Sequence, residues 1–377
     1  MSNVEHLLYL RSATGDLITV LSDGNFVSLS YGLKEIEPGV LEFTLPGDFD
    51  LSMLAIENQI EIYREVANGA LQLEGDTAWF IRKVKPLTTD SGQSLIQVTA
   101  FSAMELMQRR IVAYFAGTSY TDKEKIPWDD MLREIVDENY GPGASYGGDP
   151  ERNLEPWLMV EPYYSWGASY TRSIPWRTVL NVLQDIANDV RGTGIYCSFD
   201  VIRIGPARFE YRVFLGARGL DHSSTSSTPV IVSEDRKNLL QPSLDYDWSS
   251  EFNFTYGTGQ GQGNLRVVKT ARDDARINIS PFNRREFNRD ARQAEIEDSV
   301  QAEANSALEE GRPKRTFTGI ISQTEGCLYG VHWKWGDIVT AEYKGISIDC
   351  HVDSVVVTVD ASGTEVVSGG LRSVSDV

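Results

Sequence analysis

The first hundred residues fix the fold class more firmly than anything else in the chain. They read as short runs with strand periodicity and no helix between them. "LITVL", "NFVSLSY", "GVLEFTL", "NQIEIYR", "TAWFIRKVK" and "SLIQVTAF" are bounded by the turn-forming stretches "SDGN", "PGD" and "DSGQ". In "GVLEFTL", Val40, Glu42 and Thr44 alternate with Leu41, Phe43 and Leu45, giving one wet and one dry face. Strands that follow one another without crossover helices pair antiparallel, so a barrel or sandwich is expected over residues 1–110.

The period then changes. "FSAMELMQRR" reads as a short helix with a Ser102/Glu105 capping box. Two amphipathic helices follow, each opened by Ile-Pro-Trp, where a proline in the first turn forfeits no helical hydrogen bond. "KIPWDDMLREIVDEN" places Trp128, Met131, Leu132, Ile135 and Val136 on one face. "SIPWRTVLNVLQDIANDV" does the same with Trp176, Val179, Leu180, Leu183, Ile186, Ala187 and Val190. Between them lie the Gly/Pro-rich "NYGPGASYGGDPERN" and the aromatic "EPYYSWGASY", and after them the strands "GIYCSFDVIRIG" and "RFEYRVFL". Residues 111–228 therefore read as an inserted α+β domain.

From residue 229 strands return in "PVIVS", "PSLDYDWS", "FNFTYG" and "LRVVKTA". A charged stretch at about 285–311 reads as helix, with Ile296, Val300, Ala304, Ala307 and Leu308 in a narrow stripe and Gly311 with Pro313 as its stop. "RTFTGIIS", "GDIVTAEY", "ISIDCHVDSVVVTVD" and "TEVVSGGL" complete a second β region over 229–377. The fold class is mainly β with α+β insertions: two β regions around a helix-containing insert.

The most conspicuous local motif is "FTYGTGQGQGNLR", with glycines at 257, 259, 261 and 263. A phosphate cradle needs a helix after the glycines, or a Gly-Lys-Ser/Thr ending, and the sequence continues as a strand instead. Glycines two apart share one face of a strand or form a hairpin tip, which suits a close backbone approach. Replacing Gly259 or Gly261 with Val is expected to impair the function of that surface, in assembly or in letting a polymer pass, while leaving the monomer folded.

Other chemistry is sparse. Cys197, Cys327 and Cys350 are too few and too far apart for a disulfide framework or a four-cysteine zinc site, and read as buried thiols. His332 and His351 could meet across neighbouring strands, but neither has a carboxylate at ligand spacing. Asp245 and Asp247 sit at i, i+2 and read as surface charges, although a glycosidase pair stays open on composition. No cofactor, metal or catalytic residue is expected. The formal charge of −19 repels phosphate backbones, so DNA can pass the protein but not stick to it. No apolar run approaches the roughly 18 residues of a membrane span, and the first residues do not form a signal peptide. The chain is expected to fold in the cytoplasm without a membrane anchor.

The order of these features resembles the tail hub, or baseplate hub, family of tailed bacteriophages in its siphophage form. The resemblance runs through "YGLKEIEPGVLEFTLP", "NQIEIYRE", "WFIRKV" and "AFSAMELMQRR" to "KNLLQPSLDYDWSSEFNFTYGTGQGQGNLR", "RREFNRDAR" and "LYGVHWKWGDIVTAEYKGISIDCHVDSVVVTV". It implies a non-enzymatic homotrimer at the virion tail tip. Two β-barrel tube domains per subunit, with the helix-containing domain inserted between them, would give a pseudo-sixfold ring joining the hexameric tail tube to a threefold tip. Implied partners are the distal tail protein, the tape measure protein and other tail-tip proteins, with transient passage of DNA. Gly257, Gly259, Gly261, Arg266, Arg285 and Glu286 would shape the second tube region. Many siphophage hubs carry a C-terminal extension, so tasks done by that extension are expected to fall to other proteins here. The competing readings are a glycan-binding or glycan-degrading tail module and a hexameric distal tail protein.

Overall fold

The computed structural model describes residues 4–66, 69–113, 122–145, 150–174, 176–292 and 297–376. The chain is mainly β and divides into two compact units. The first comprises Met1–Asn188, Tyr196–Gln241 and Gly319–Leu371, and the second Asp189–Ile195, Pro242–Thr318 and Arg372–Val377.

The first unit is built on strands β1 (His6–Arg11), β2 (Leu17–Ser22), β3 (Ser28–Lys34), β4 (Glu37–Pro46), β5 (Gln59–Val66), β6 (Ala70–Leu73), β7 (Trp79–Thr88) and β8 (Ser94–Ser102). Every strand read from the first hundred residues is present, and β1 is an addition. Its "HLLYLR" alternates strictly, burying Leu8 and Leu10. In β4, Leu41, Phe43 and Leu45 are buried while Val40 and Glu42 are exposed, as the alternation requires.

After β8 the chain makes a 3-10 helix, Ala103–Gln108. The expected capping box does not form. Ser102 Oγ instead accepts the Gly39 N–H at 2.8 Å, and Glu105 pairs with Arg109 one turn on. A strand-to-strand bond inside the core takes the hydroxyl that a helix cap would have used.

The insert contains β9 (Asp122–Pro127), α1 (Trp128–Tyr140), β10 (Leu158–Val160), β11 (Ser169–Ser173), α2 (Val179–Gly192), β12 (Cys197–Gly205) and β13 (Arg208–Leu215). β9 pairs antiparallel with β11, and β13 lies between antiparallel β12 and parallel β10. The expected apolar face of α1 is fully buried. In α2, Val179 through Val190 of the expected stripe are buried, but Trp176 stands before the helix and is exposed. Pro175, residues 146–149 of the Gly/Pro loop and residues 1–3 lie outside the described residues.

The unit closes with β14 (Asp221–His222), β15 (Ile231–Ser233), β21 (Ile338–Tyr343), β22 (Ile346–Val359) and β23 (Glu365–Asp376). Its main sheet runs β23-β22-β3-β4-β8-β7-β5-β1-β2. β3 pairs with β22, Tyr31 opposite Val357 and Leu33 opposite Val355, so strands from both ends of the chain share one core. β21 pairs with β22 and carries β14 and β15 in parallel.

The second unit contains β17 (Phe254–Thr258), β18 (Val268–Arg272), α3 (Asp274–Ile277), β19 (Glu286–Asp290) and α4 (Glu297–Glu310). The chain passes between units within α2, again just before β12, and within β16 (Leu239–Asp247), β20 (Lys314–Ser322) and β23. The reading of one helix over 285–311 needs correction, because its first part is the strand β19. Phe287 stacks on Phe252 at 4.5 Å, and β19 pairs parallel with β17. Those pairings outweigh the helix propensity of the charged residues around it. Val300, Ala304 and Ala307 of the expected helical stripe are buried in α4, whereas Ile296 lies outside the described residues.

Candidate functional site

The glycine–arginine segment and the Arg-Glu pair both fall in the second unit, on one three-stranded sheet. β17 is its centre, antiparallel to β18 and parallel to β19, with Gly257 opposite Lys269 on one side and Arg289 on the other. α4 packs on this sheet. A Cβ on Gly257 would lie 2.6 Å from the Val300 carbonyl oxygen, and one on Gly259 would lie 2.8 Å from Val300 Cγ2. The bare strip expected from the period-two glycines therefore exists, and the chain's own helix occupies it. Thr255, two residues before Gly257 and in phase with both glycines, donates its hydroxyl to the Ala304 carbonyl at 2.7 Å.

The other two glycines have left the strand. Gly261 has φ 104° and Gly263 φ 58°, both in the left-handed region, and they form the loop between β17 and β18. Arg266 braces that loop by donating Nε to the Gly259 carbonyl at 3.2 Å. Arg285 donates Nη1 to the Trp248 carbonyl at 2.8 Å and Nη2 to the Ser249 carbonyl at 2.6 Å. Glu286 accepts from Arg284 Nε at 2.7 Å and from the Tyr256 hydroxyl at 3.3 Å. Arg285 and Glu286 thus serve different neighbours, as adjacent strand residues on opposite faces must. All six expected residues fall in one unit; Arg266 and Arg285 brace backbone carbonyls, while Glu286 pairs with side chains.

Three features there escaped sequence reasoning. Buried Asn253 holds the backbone N–H of Arg285 on Oδ1 at 3.0 Å and donates Nδ2 to the Asn283 carbonyl at 2.6 Å. Arg276 reaches buried Glu251 at 2.7 Å. Leu265, Ile279 and Phe282 project from loops with 79%, 73% and 92% of their surface exposed.

The first unit holds two buried ion networks. In one, Arg64 donates Nε and Nη2 to the two oxygens of Glu365, both at 2.6 Å, and His6 Nε2 lies 3.1 Å from the same carboxylate. Burial works to raise the Glu365 pKa, but the hydrogen bonds and charges of Arg64 and His6 overcome it and hold it at about 2. The Tyr329 hydroxyl donates to buried Glu74 at 3.0 Å, and burial pushes that carboxyl up despite the Arg64 charge. In the other, Arg133 meets Asp129 at 2.6 Å, Asp130 at 3.2 Å and Glu161 at 2.9 Å, all four side chains being buried. Acid–base pairing at i, i+3 and i, i+4 within "DDMLR" was the available signal, and it reads as a solvated face until the loop that covers it is known.

A groove of about 510 Å³ lies on the solvent face of the main sheet, lined by Ser28, Ser30, Glu42, Thr44, Gln97 and Thr99 among others. No His/Cys/Asp/Glu cluster able to hold a metal occurs among the described residues. His332 accepts the Leu328 N–H on Nδ1 at 2.9 Å, while His351 stacks on Tyr196 at 3.5 Å, so the two histidines serve separate contacts. Asp245 and Asp247 are exposed, the latter accepting the Ser249 N–H at 2.7 Å. The three cysteines are buried free thiols. No described helix is long and apolar enough to cross a membrane.

This arrangement of sheets and insert is the fold of phage tail proteins. It is similar to the tail protein from Neisseria meningitidis MC58, at TM-score 0.54 and 13% identity over 98% of this chain and 96% of that one. The 43 kDa tail protein of prophage MuSo2 from Shewanella oneidensis gives TM-score 0.54 and 10% identity over 97% of each chain. Prophage tail protein gp18 from Listeria monocytogenes EGD-e gives 0.53 and 12% over 98% of this chain and 94% of that one. The chain belongs to the siphovirus ReqiPepy6 Gp37-like family, which it matches over residues 7–368. Comparison with curated proteins by sequence gives no match.

Proposed function

We propose that the protein is a non-enzymatic tail-tip or baseplate hub that forms a homotrimeric ring in the virion tail. The ring joins the sixfold tail tube to the threefold tip and encloses a channel for DNA ejection. The observation that carries this reading is the near-complete coverage of the chain by the fold of phage tail proteins. Leu265, Ile279 and Phe282, which project from the second unit, are the proposed apolar contacts of that ring. The distal tail protein, the tape measure protein and other tip proteins are the proposed neighbours. The groove on the main sheet is the proposed channel wall: its Ser, Thr and Gln side chains are joined by Glu42, Asp360, Lys83 and Lys85, whose charges cancel and leave no cationic strip to hold DNA.

The experiment is native mass spectrometry of the purified protein, alone and with the distal tail protein. Three copies per ring support the reading, and Phe282→Asp with Leu265→Asp should reduce the ring to folded monomer. Six copies would make it the distal ring component. A monomer that turns over wall polysaccharide would make it an enzyme.

A further inference from the structure

The segment from Trp157 to Trp166 leaves a row of aromatic rings in solvent. Trp157, Tyr163, Tyr164 and Trp166 are each 46–49% exposed, so each ring offers a face or edge. The row runs beside α1. Leu154, just before it, donates its N–H to the carbonyl of Tyr140 at the helix end, and Trp166 and Gly167 at its far end bond Asp129 near the helix start. Thirteen helical residues make that distance about 20 Å. Apart from these rings, the exposed residues of 155–169 are Glu155, Pro156, Pro162, Ser165, Ala168 and Ser169, with no exposed aliphatic Leu, Ile, Val or Met among them.

The row is held rigidly. Asp130 accepts the N–H groups of Tyr164 at 3.0 Å and Ser165 at 3.2 Å, and the Ser165 hydroxyl at 2.6 Å. Asp129 accepts the N–H groups of Trp166 at 3.1 Å and Gly167 at 2.8 Å. Ser165 sits at φ 53°, and the rings on either side of it stack in parallel at 4.5 Å. The buried Arg133 guanidinium lies 4.9 Å from one ring centre and 5.0 Å from the other. A buried four-member ion network is a poor source of stability, so its use to fix one surface loop points to a loop whose shape matters.

We infer that the Trp157–Trp166 row is a binding site for an uncharged polysaccharide chain, whose successive sugar rings lie flat on Trp157, Tyr163 and the Tyr164–Trp166 pair. Aromatic faces take up the apolar C–H faces of pyranose rings, and an extended row accepts an extended chain. Protein interface cores combine aromatic side chains with Met and Arg, and neither Met nor Arg is exposed within 155–169. The local charge selects against anionic polymers. Glu134, Glu138, Asp137 and Asp130 all lie close enough to Tyr163 to raise its phenol pKa, after burial itself, so Tyr163 remains a neutral hydrogen-bond donor beside carboxylates. Lys123 is the cation facing this side of α1, engaged at 2.7–2.8 Å with Glu138 and Glu134. The inference does not depend on the ring's copy number.

The test is retention of the whole protein on chitin and on cellulose, both uncharged, with heparin as the anionic control. The parent protein is retained on at least one neutral glycan and not on heparin. Tyr163→Ala and Trp166→Ala each weaken retention about three- to tenfold, the share of one aromatic contact, while melting within a few degrees of the parent. Trp157→Ala, which touches no part of the ion network, does the same. Absence of retention on neutral glycans, retention unchanged in all three variants, or variants that instead change the assembled mass would each overturn the inference.

Discussion

Replacing Arg133 with Met removes the single cation from a buried set that otherwise contains three carboxylates. Met fills much of the same volume, so packing is conserved and the change is electrostatic. Removing one partner of a buried ion pair costs about 3–5 kcal/mol, because the remaining charge stays out of water. Arg133 serves Asp129 at 2.6 Å, Asp130 at 3.2 Å and Glu161 at 2.9 Å, so the loss should sit at the upper end. Backbone donors soften it, since Val213 N–H still reaches Glu161 at 2.6 Å and the 164–167 loop still reaches both aspartates. For a domain of this order, each kcal/mol moves the melting temperature by about 2–4 °C, so a fall of about 10 °C is expected. The effect also has a sign in pH. Burial raises the Asp130 pKa, but hydrogen bonds from Ser165 and Tyr164 and the Arg133 charge bring it below its ordinary value. A depressed folded pKa stabilises above the ordinary value and loses that contribution as pH falls through the folded one. The variant lacks part of this depression, so the gap between parent and variant should hold from pH 7 to about 4 and narrow as pH falls below the ordinary 3.8. Calorimetry across that range checks both points. A loss below about 1 kcal/mol at pH 7, or a gap that widens in acid, would refute the account of Arg133 as the charge that holds this loop.

Glu365, held at about 2 against an ordinary 4.5, contributes about 3 kcal/mol above pH 4.5. That contribution drains between pH 4.5 and about 2, so Glu365→Gln should lower stability at neutral pH and flatten the acid limb of the stability curve. An unchanged acid limb would contradict this. Gly261→Val forces a β-branched residue to φ 104° with its Cβ 2.4 Å from the Leu265 carbonyl, and Gly259→Val drives into Val300. Both should therefore unfold the second unit, seen as lost hydrogen-exchange protection in β17, β18 and α4. The sequence-based expectation of a folded monomer survives only if both variants keep parental protection. Cys350 is pushed up to about 12 by burial and by Asp349, and Cys327 is also raised by burial. The native protein should leave all three thiols unlabelled by a disulfide reagent at pH 8, and stoichiometric labelling without denaturant would show that a thiol is open.

Strand periodicity made the β architecture legible because each strand has one dry face, and Leu41, Phe43 and Leu45 show that face without reference to neighbours. What periodicity does not encode is the identity of the next strand. The pairing of β3 with β22 joins residues more than three hundred positions apart, and either strand would alternate identically beside another partner. The helix faces were legible for the same local reason. Their polar sides were not, because Asp129, Arg133 and Glu138 look like a solvated face in "DDMLREIVDEN" and are buried only when the 161–167 loop and β9 cover them. β19 was read as helix because Arg, Asp and Glu dominate its composition, while the residues that decide are Phe287 against Phe252 and the parallel ladder to β17.

The glycine segment shows where a local motif stops being informative. Glycines two apart predict a strand face on which another backbone comes close, and Gly257 and Gly259 meet that prediction with α4. The motif carries no information on whether the approaching backbone belongs to the same chain. Once α4 takes that face, the segment's remaining outward surface is the 261–265 loop, whose left-handed glycines turn Leu265 into solvent and whose neck Arg266 braces. An assembly role for this segment therefore rests on the loop tip, and the strand glycines act earlier, by letting the helix seat so that the tip has a fixed place from which to project.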